Sequence, residues 1–269
     1  MVIGGLQKLT LLDFPGKVAC SLFLSGCNFR CPFCHNSALI YGGAAAIEEV
    51  DFWMFLAKRR GLLDGVCVSG GEPLINDGIE IFLEKIKRAG FAVKLDTNGS
   101  RPVKLKELLK TRAVDYVAMD IKNSPENYTR ATGTDCGILS GQPTLSESEN
   151  YAPATGTDGG ADILKGYDDD EANRVKSADY GIAAVKESAA ALMESGVPFE
   201  FRTTVVKELH TADDFHSVGK WLAGGENYFL QYFKPSENTL SKALNPPSEI
   251  EMNEFCGILK EYIPNVKIR

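Results

Sequence analysis

No stretch of about 18 apolar residues occurs anywhere in the 269-residue chain, which argues against a membrane-spanning helix. The first residues carry no apolar signal segment and reach Lys8 and Asp13 early, so a cytoplasmic location is expected. Positive charge is in deficit: 29 Lys and Arg stand against 36 Asp and Glu, and no basic stripe offers a nucleic-acid footprint. Nor is there a G-x-G-x-x-G after the first strand-like run. Gly16-Lys17 is not a Walker lysine, because Leu11 stands where the first glycine belongs and Val18 where Ser or Thr is needed. The seven cysteines, at 20, 27, 31, 34, 67, 136 and 256, do not read as a disulfide framework, since the number is odd and three crowd into eight residues.

What is present is an ordinary globular composition, 44% hydrophobic and 24% charged, of a length that one α/β domain spanning 1–269 can use. β-branched apolar runs predict strands over 18–25, 65–69, 91–96, 114–121, 199–206 and 228–233. Helical patterns fall at 46–60, 78–89, 105–111, 180–195, 213–222 and 249–262. Six βα units in succession imply a parallel sheet with crossover helices, either doubly wound or a partial barrel. The unusual residues fall at the C-terminal ends of four successive strands, where parallel α/β folds build their active sites. The cysteine cluster follows the first strand and Ser69-Gly70-Gly71-Glu72-Pro73 the second. Asp96-Thr97-Asn98-Gly99 ends the third and Asp120-Ile121-Lys122 the fourth.

Cys27, Cys31 and Cys34 have the spacing C-x3-C-x2-C. Three thiolates can hold three irons of a cubane and leave the fourth iron open for chemistry. The competing reading is zinc held by the three cysteines and His35, although neighbouring side chains at 34 and 35 rarely converge on one tetrahedral ion. Cys20 and Cys67 lie in predicted strands and read as small buried hydrophobes. His210 and His216, on or near the fifth helix, are expected on the surface.

The C-x3-C-x2-C run with Phe33 before its last cysteine, together with Ser69-Gly70-Gly71-Glu72-Pro73, resembles the radical S-adenosylmethionine (SAM) superfamily. Asp13-Phe14-Pro15-Gly16-Lys17, Cys34-His35-Asn36, Asp96-Thr97-Asn98-Gly99 and Asp120-Ile121-Lys122 resemble its glycyl radical enzyme activating enzymes. Among these, the activating proteins of anaerobic ribonucleoside-triphosphate reductase are most similar, then those of pyruvate formate-lyase. The resemblance implies a partial (β/α)6 TIM-like barrel, a [4Fe–4S] cluster on Cys27, Cys31 and Cys34, and SAM chelated to the open iron. It implies reductive cleavage of SAM to a 5′-deoxyadenosyl radical that takes hydrogen from a glycine of a partner enzyme. Electrons would come from a flavodoxin or ferredoxin, and neither nucleic acid nor membrane is an expected partner. A small-molecule radical SAM enzyme, similar to 7-carboxy-7-deazaguanine synthase, and a non-catalytic zinc module are the competing functions.

Residue roles follow from the same resemblance. Ser69, Gly70 and Gly71 are expected to bring backbone close to the methionine end of SAM. Glu72 is read either as an acceptor for the ammonium group or as a brace for its loop. Phe33 lines the adenine or simply packs, and Asn36, Thr97 and Asn98 belong to the matching motifs. Asp96 and Asp120 are like charges at neighbouring strand ends, so they call for a cation: Na+ or K+ beside SAM, or Lys122. Arg202 is a candidate for the SAM carboxylate or ribose, or a snorkelling rim arginine. The region after strand six reads Gln231-Tyr232-Phe233-Lys234, without the histidine that pyruvate formate-lyase activating enzyme carries there.

After the fourth strand comes an acidic insertion, 140–179, expected to be flexible. From 142 to 179 it holds nine acidic residues against three basic ones. It contains a near-repeat, since eight of the ten residues at 126–135 recur at 149–158.

Overall fold

The computed structural model describes residues 1–40, 46–133 and 181–269. The expected insertion and Cys136 lie outside these residues. The strands form one sheet in chain order: β1 (Ile3–Thr10), β2 (Ala19–Leu24), β3 (Gly65–Gly70), β4 (Ala92–Thr97), β5 (Tyr116–Asp120), β6 (Phe199–Val205), β7 (Asn227–Tyr232) and β8 (Asn265–Ile268). β2 through β8 run parallel, whereas β1 is antiparallel to β2. The six expected strands are β2 to β7. β1 and β8 extend the sheet at its two ends, as the expectation did not.

Eight helices accompany the sheet among the described residues. α1 (Ser37–Ile40) and α2 (Glu49–Lys58) precede β3, α3 (Ile79–Arg88) precedes β4, and α4 (Pro102–Thr111) precedes β5. α5 (Tyr128–Thr132) and α6 (Ile182–Glu194) precede β6, α7 (Ala212–Trp221) precedes β7, and α8 (Glu249–Lys260) precedes β8. α7 starts on Thr211 and α8 on Ser248, each in a reciprocal capping box with the acidic side chain three residues on, Asp214 and Glu251. None of the described helices is long and apolar enough to cross a membrane.

Strand alternation divides the side chains into two sets. Leu22, Leu24, Val66, Val68, Val93, Leu95, Val117, Met119, Phe201 and Leu230 join the helices in one apolar core. The alternate residues of β4 to β6, Lys94 with Asp96, Asp120, and Glu200 with Arg202, are charged: Lys94 pairs with Asp96 of its own strand, Arg202 reaches across to Asp96 and Asp120, and Glu200 takes Arg269 from beyond β8. The barrel interior is therefore polar at this level, and its charge is concentrated where the site is built.

Candidate active site

A cavity of about 310 Å³ opens at the C-terminal ends of β2 to β7. The loop after β2 contributes Cys27, Cys31, Phe33, Cys34 and Asn36, and the end of β3 contributes Ser69, Gly70 and Gly71. β4 and its loop supply Asp96, Thr97 and Asn98, β5 supplies Asp120 and Lys122, and β6 supplies Arg202. Of the residues expected from sequence, Glu72 alone is missing from this wall. Sequence reasoning gave no site role to Phe29, Ile40, Thr204 and Gln231, and named His35 only as the competing zinc ligand; all five also line it.

The cysteine loop is fixed from several sides. The Gly26 and Glu72 N–H groups donate to the carbonyls of Leu39 and Gly26, at 2.7 and 2.8 Å. Ser241 donates its N–H to the Pro32 carbonyl at 2.8 Å, and Asn98 donates its side-chain amide to that of Asn28 at 3.1 Å. Burial pushes the Cys31 thiol up to about 12 although Lys122 pulls the other way, and burial also raises Cys27. These thiols ionise only when a metal takes the place of the proton. Among the described residues no group of three His, Cys, Asp or Glu side chains is arranged to hold a single metal ion. Three cysteines on one wall of the cavity can hold three irons of a cubane and leave the fourth open. The donor set thus fits a [4Fe–4S] cluster.

Glu72 settles as the brace. It is fully buried, and its carboxylate accepts from Leu74 N–H at 3.0 Å, Thr97 Oγ1–H at 2.8 Å and Asn98 N–H at 2.6 Å. It holds the β3 loop to the end of β4 behind the cavity wall, so the ammonium-acceptor expectation is corrected. Burial raises its pKa to about 7 against these three donors.

Gly70 and Gly71 line the cavity, and the fold gives them a further reason beside the expected one. Gly70 has φ +120°, and a Cβ there would overlap the Leu24 backbone; a Cβ on Gly71 would overlap the Gly26 carbonyl oxygen. Both let two loops cross in contact, and that crossing brings the cysteine loop against the β3 loop. Gly71→Ala is expected to lose about 1–3 kcal/mol of stability, because the obstacle is backbone that cannot swing aside. Denaturant unfolding of the apo-protein checks it, and an unchanged midpoint would refute the crossing argument.

Asp96 and Asp120 do not face each other as uncompensated charges. Lys94 bonds Asp96, Arg202 bonds Asp120 and reaches Asp96 at 3.2 Å, and Lys122 bonds Asp120 at 2.9 Å. Burial works against ionisation of both carboxyls, but Arg202 and then a lysine overcome it and hold both below the usual carboxylate range. Three cations surround two carboxylates, so the charge argument for Na+ or K+ is removed. Arg202 is the bridge of this network rather than a snorkelling rim residue. Lys94 was missed, although an i, i+2 partner of Asp96 on a strand must share its face.

His210 is buried, not on the surface. Its Nε2 lies 2.9 Å from the Lys122 carbonyl and its Nδ1 bonds the Val206 backbone, while burial lowers its pKa. It therefore supports the end of β5 from behind. Cys67 is buried beside Lys94, with Sγ 3.9 Å from Nζ, and Cys20 packs in the apolar core.

Residues 21–137 match the family model described as the Radical SAM superfamily. A protein of Methanocaldococcus jannaschii named "Putative glycyl-radical enzyme activating enzyme" is 28% identical over 275 aligned residues, covering all of this chain and 95% of that one. The pyruvate formate-lyase-activating enzyme of Clostridium pasteurianum is 30% identical over 143 residues, covering 49% of this chain and 59% of that one. Among solved structures, SuiB of Streptococcus suis superposes with a TM-score of 0.58 at 11% identity, a likeness of fold. That match covers 93% of this chain, which spans about half of SuiB, 47% of its length. The family implies a [4Fe–4S] cluster and SAM, and the three-cysteine cavity at the strand ends is where this fold would hold them. Residues 21–137 thus carry a Radical SAM domain, and the likeness to activating enzymes supports an enzyme role in radical chemistry.

Proposed function

We propose that the protein activates a glycyl radical enzyme, most consistently an anaerobic ribonucleoside-triphosphate reductase, with an electron from a flavodoxin- or ferredoxin-type donor. Pyruvate formate-lyase is the alternative target. The observation that carries the reading is the match over the whole chain to the Methanocaldococcus jannaschii protein, joined to a cavity with three cysteines and no competing metal-ligand group among the described residues. A bound cluster would supply the one electron for cleavage of SAM to methionine and a 5′-deoxyadenosyl radical, and that radical would take a hydrogen atom from a glycine Cα to leave 5′-deoxyadenosine and a glycyl radical.

The protein's own contribution is binding and placement. Cys27, Cys31 and Cys34 hold three irons. Ser69 and the Gly70–Gly71 backbone shape the wall beside them. Phe33, buried against that wall, offers an apolar face for a flat base, and Lys122 stands 5.8 Å from its ring. The cations on Asp96 and Asp120 keep these two carboxylates ionised in a closed cavity, so they remain acceptors for the hydroxyl or ammonium groups of SAM.

The test is anaerobic incubation of the reconstituted enzyme with reductant, SAM and an anaerobic ribonucleoside-triphosphate reductase. A doublet EPR signal that collapses when the glycine is α-deuterated is expected. Reductive SAM cleavage without that signal, for this reductase and for pyruvate formate-lyase, would sink the reading and leave a small-molecule substrate.

A further inference from the structure

A second cavity, of about 550 Å³, lies beneath the first, toward the N-terminal ends of the strands. Its walls include Leu11, Leu12 and Pro15 from the loop after β1, and Arg269 just beyond β8. β1 and β8 are the two ends of the sheet, so this cavity lies at the seam of the open barrel. Asp96, Arg202 and Gln231 line both cavities and form the waist between them.

Two of these three groups are already committed. Asp96 is bonded by Lys94 and Arg202, and Arg202 also holds Asp120. The Gln231 side-chain amide, by contrast, has no hydrogen-bond partner among the described residues. It sits near the end of β7 beside Thr204 of β6 and is half-buried. A free amide at a constriction offers one donor direction and one acceptor, the complement of a peptide group.

The lower cavity also indicates what kind of chain would pass. Each cation that lines it is ion-paired: Lys94 and Arg202 with Asp96, and Arg269 with Glu200 at 3.1 Å. An anionic ligand would have to break one of these pairs, whereas a neutral backbone need not; Asp13, the lining carboxylate outside the pairs, already accepts from the Ser21 hydroxyl. The lip is apolar, with Leu11 68% and Leu12 86% exposed. We propose that Gln231 holds a backbone peptide group of the substrate where the lower cavity meets the upper one, and that the lower cavity takes a neutral, extended peptide segment. The inference rests on the proposed protein substrate and adds where that substrate is read and by which side chain.

Holoenzyme loaded with SAM would be titrated with a labelled, capped peptide that has a central glycine and uncharged flanks. Gln231→Leu is expected to weaken peptide binding about tenfold, the loss of two neutral hydrogen bonds. General damage to the strand could also weaken binding, so the peptide is then N-methylated at each backbone nitrogen in turn. One analogue should bind wild type several-fold more weakly yet bind Gln231→Leu no worse than the parent peptide does, a coupling that a structural defect does not produce. Leu12→Ser, at an exposed position, should weaken the parent peptide in both backgrounds. No peptide binding by wild type, equal binding by Gln231→Leu, or no coupled analogue would overturn the assignment. Failure of the activase reading is a separate result: no glycyl radical forms on any enzyme, while the coupling between Gln231 and the peptide backbone persists.

Discussion

Replacing any one of Cys27, Cys31 or Cys34 by alanine is expected to take reconstituted iron from about four per chain toward zero and reductive SAM cleavage to the apo-protein rate. The three thiols line one wall, and each is the sole protein ligand expected for its iron. Two remaining thiolates leave two irons without protein ligands, and among the described residues no group of three His, Cys, Asp or Glu is arranged to hold a metal ion in their place. Cys31 makes the point most sharply. It is buried with its thiol pushed up to about 12, so its ionisation depends on the metal, and reconstitution should release protons. Cys67→Ala and Cys256→Ala should keep the iron, because Cys67 faces Lys94 and Cys256 packs in the core near α8. Iron analysis, the brown charge-transfer absorbance and 5′-deoxyadenosine formation are the readouts. A variant of Cys27, Cys31 or Cys34 that retains full cleavage would show the ligand assignment to be wrong.

The sequence exposed the site because its chemistry sits at strand ends in short, polar motifs set against apolar runs. Spacing was enough to bring the cysteine loop, the Gly70–Gly71 turn, Asp96 and Asp120 to one rim. Three kinds of feature were harder to read. β1 begins Ile3-Gly4-Gly5 and continues Leu6-Gln7-Lys8-Leu9-Thr10 without regular alternation, a weak strand pattern for an edge position, and β8 is four residues long. Glu72 was read either toward the ligand or as a brace and the two glycines toward the ligand, whereas their part in joining loops shows only where the folded chain brings those loops together. Lys94 and His210 are polar residues whose burial depends on particular partners, Asp96 of the same strand for the first and the Lys122 carbonyl of a distant loop for the second. The Lys94–Asp96 pair was legible in principle, since i, i+2 residues of a strand face the same way. The His210 contact, 88 positions away in the chain, was not.

Asp96→Asn is expected to cost about 3–5 kcal/mol, the range found when one partner of a buried ion pair is removed. Wild type has three cations on two carboxylates. Without the Asp96 charge, Lys94, whose side chain is 2% exposed, is left beside the Cys67 thiol, and Arg202 keeps its ion pair with Asp120. Arg202→Met should cost less although it removes more atoms, because it takes away the surplus cation and leaves Lys94 with Asp96 and Lys122 with Asp120. Asp96→Asn combined with Lys94→Met should recover most of the loss, since the stranded charge is then gone. The pH dependence gives a second check. Asp96 and Asp120 have folded pKa values below the ordinary aspartate value, so the unfolded chain takes up protons first on acidification. Their contribution is complete above an aspartate's unfolded pKa of about 4 and is lost as pH falls toward the folded values. Asp96→Asn should flatten this acid limb, leaving the share that belongs to Asp120. Urea unfolding of the apo-protein from neutral pH down to about pH 3, across that unfolded value, reads both effects. If Arg202→Met proves the most destabilising of the three variants, or if Asp96→Asn leaves the acid limb as steep as in wild type, the network is not balanced in this way.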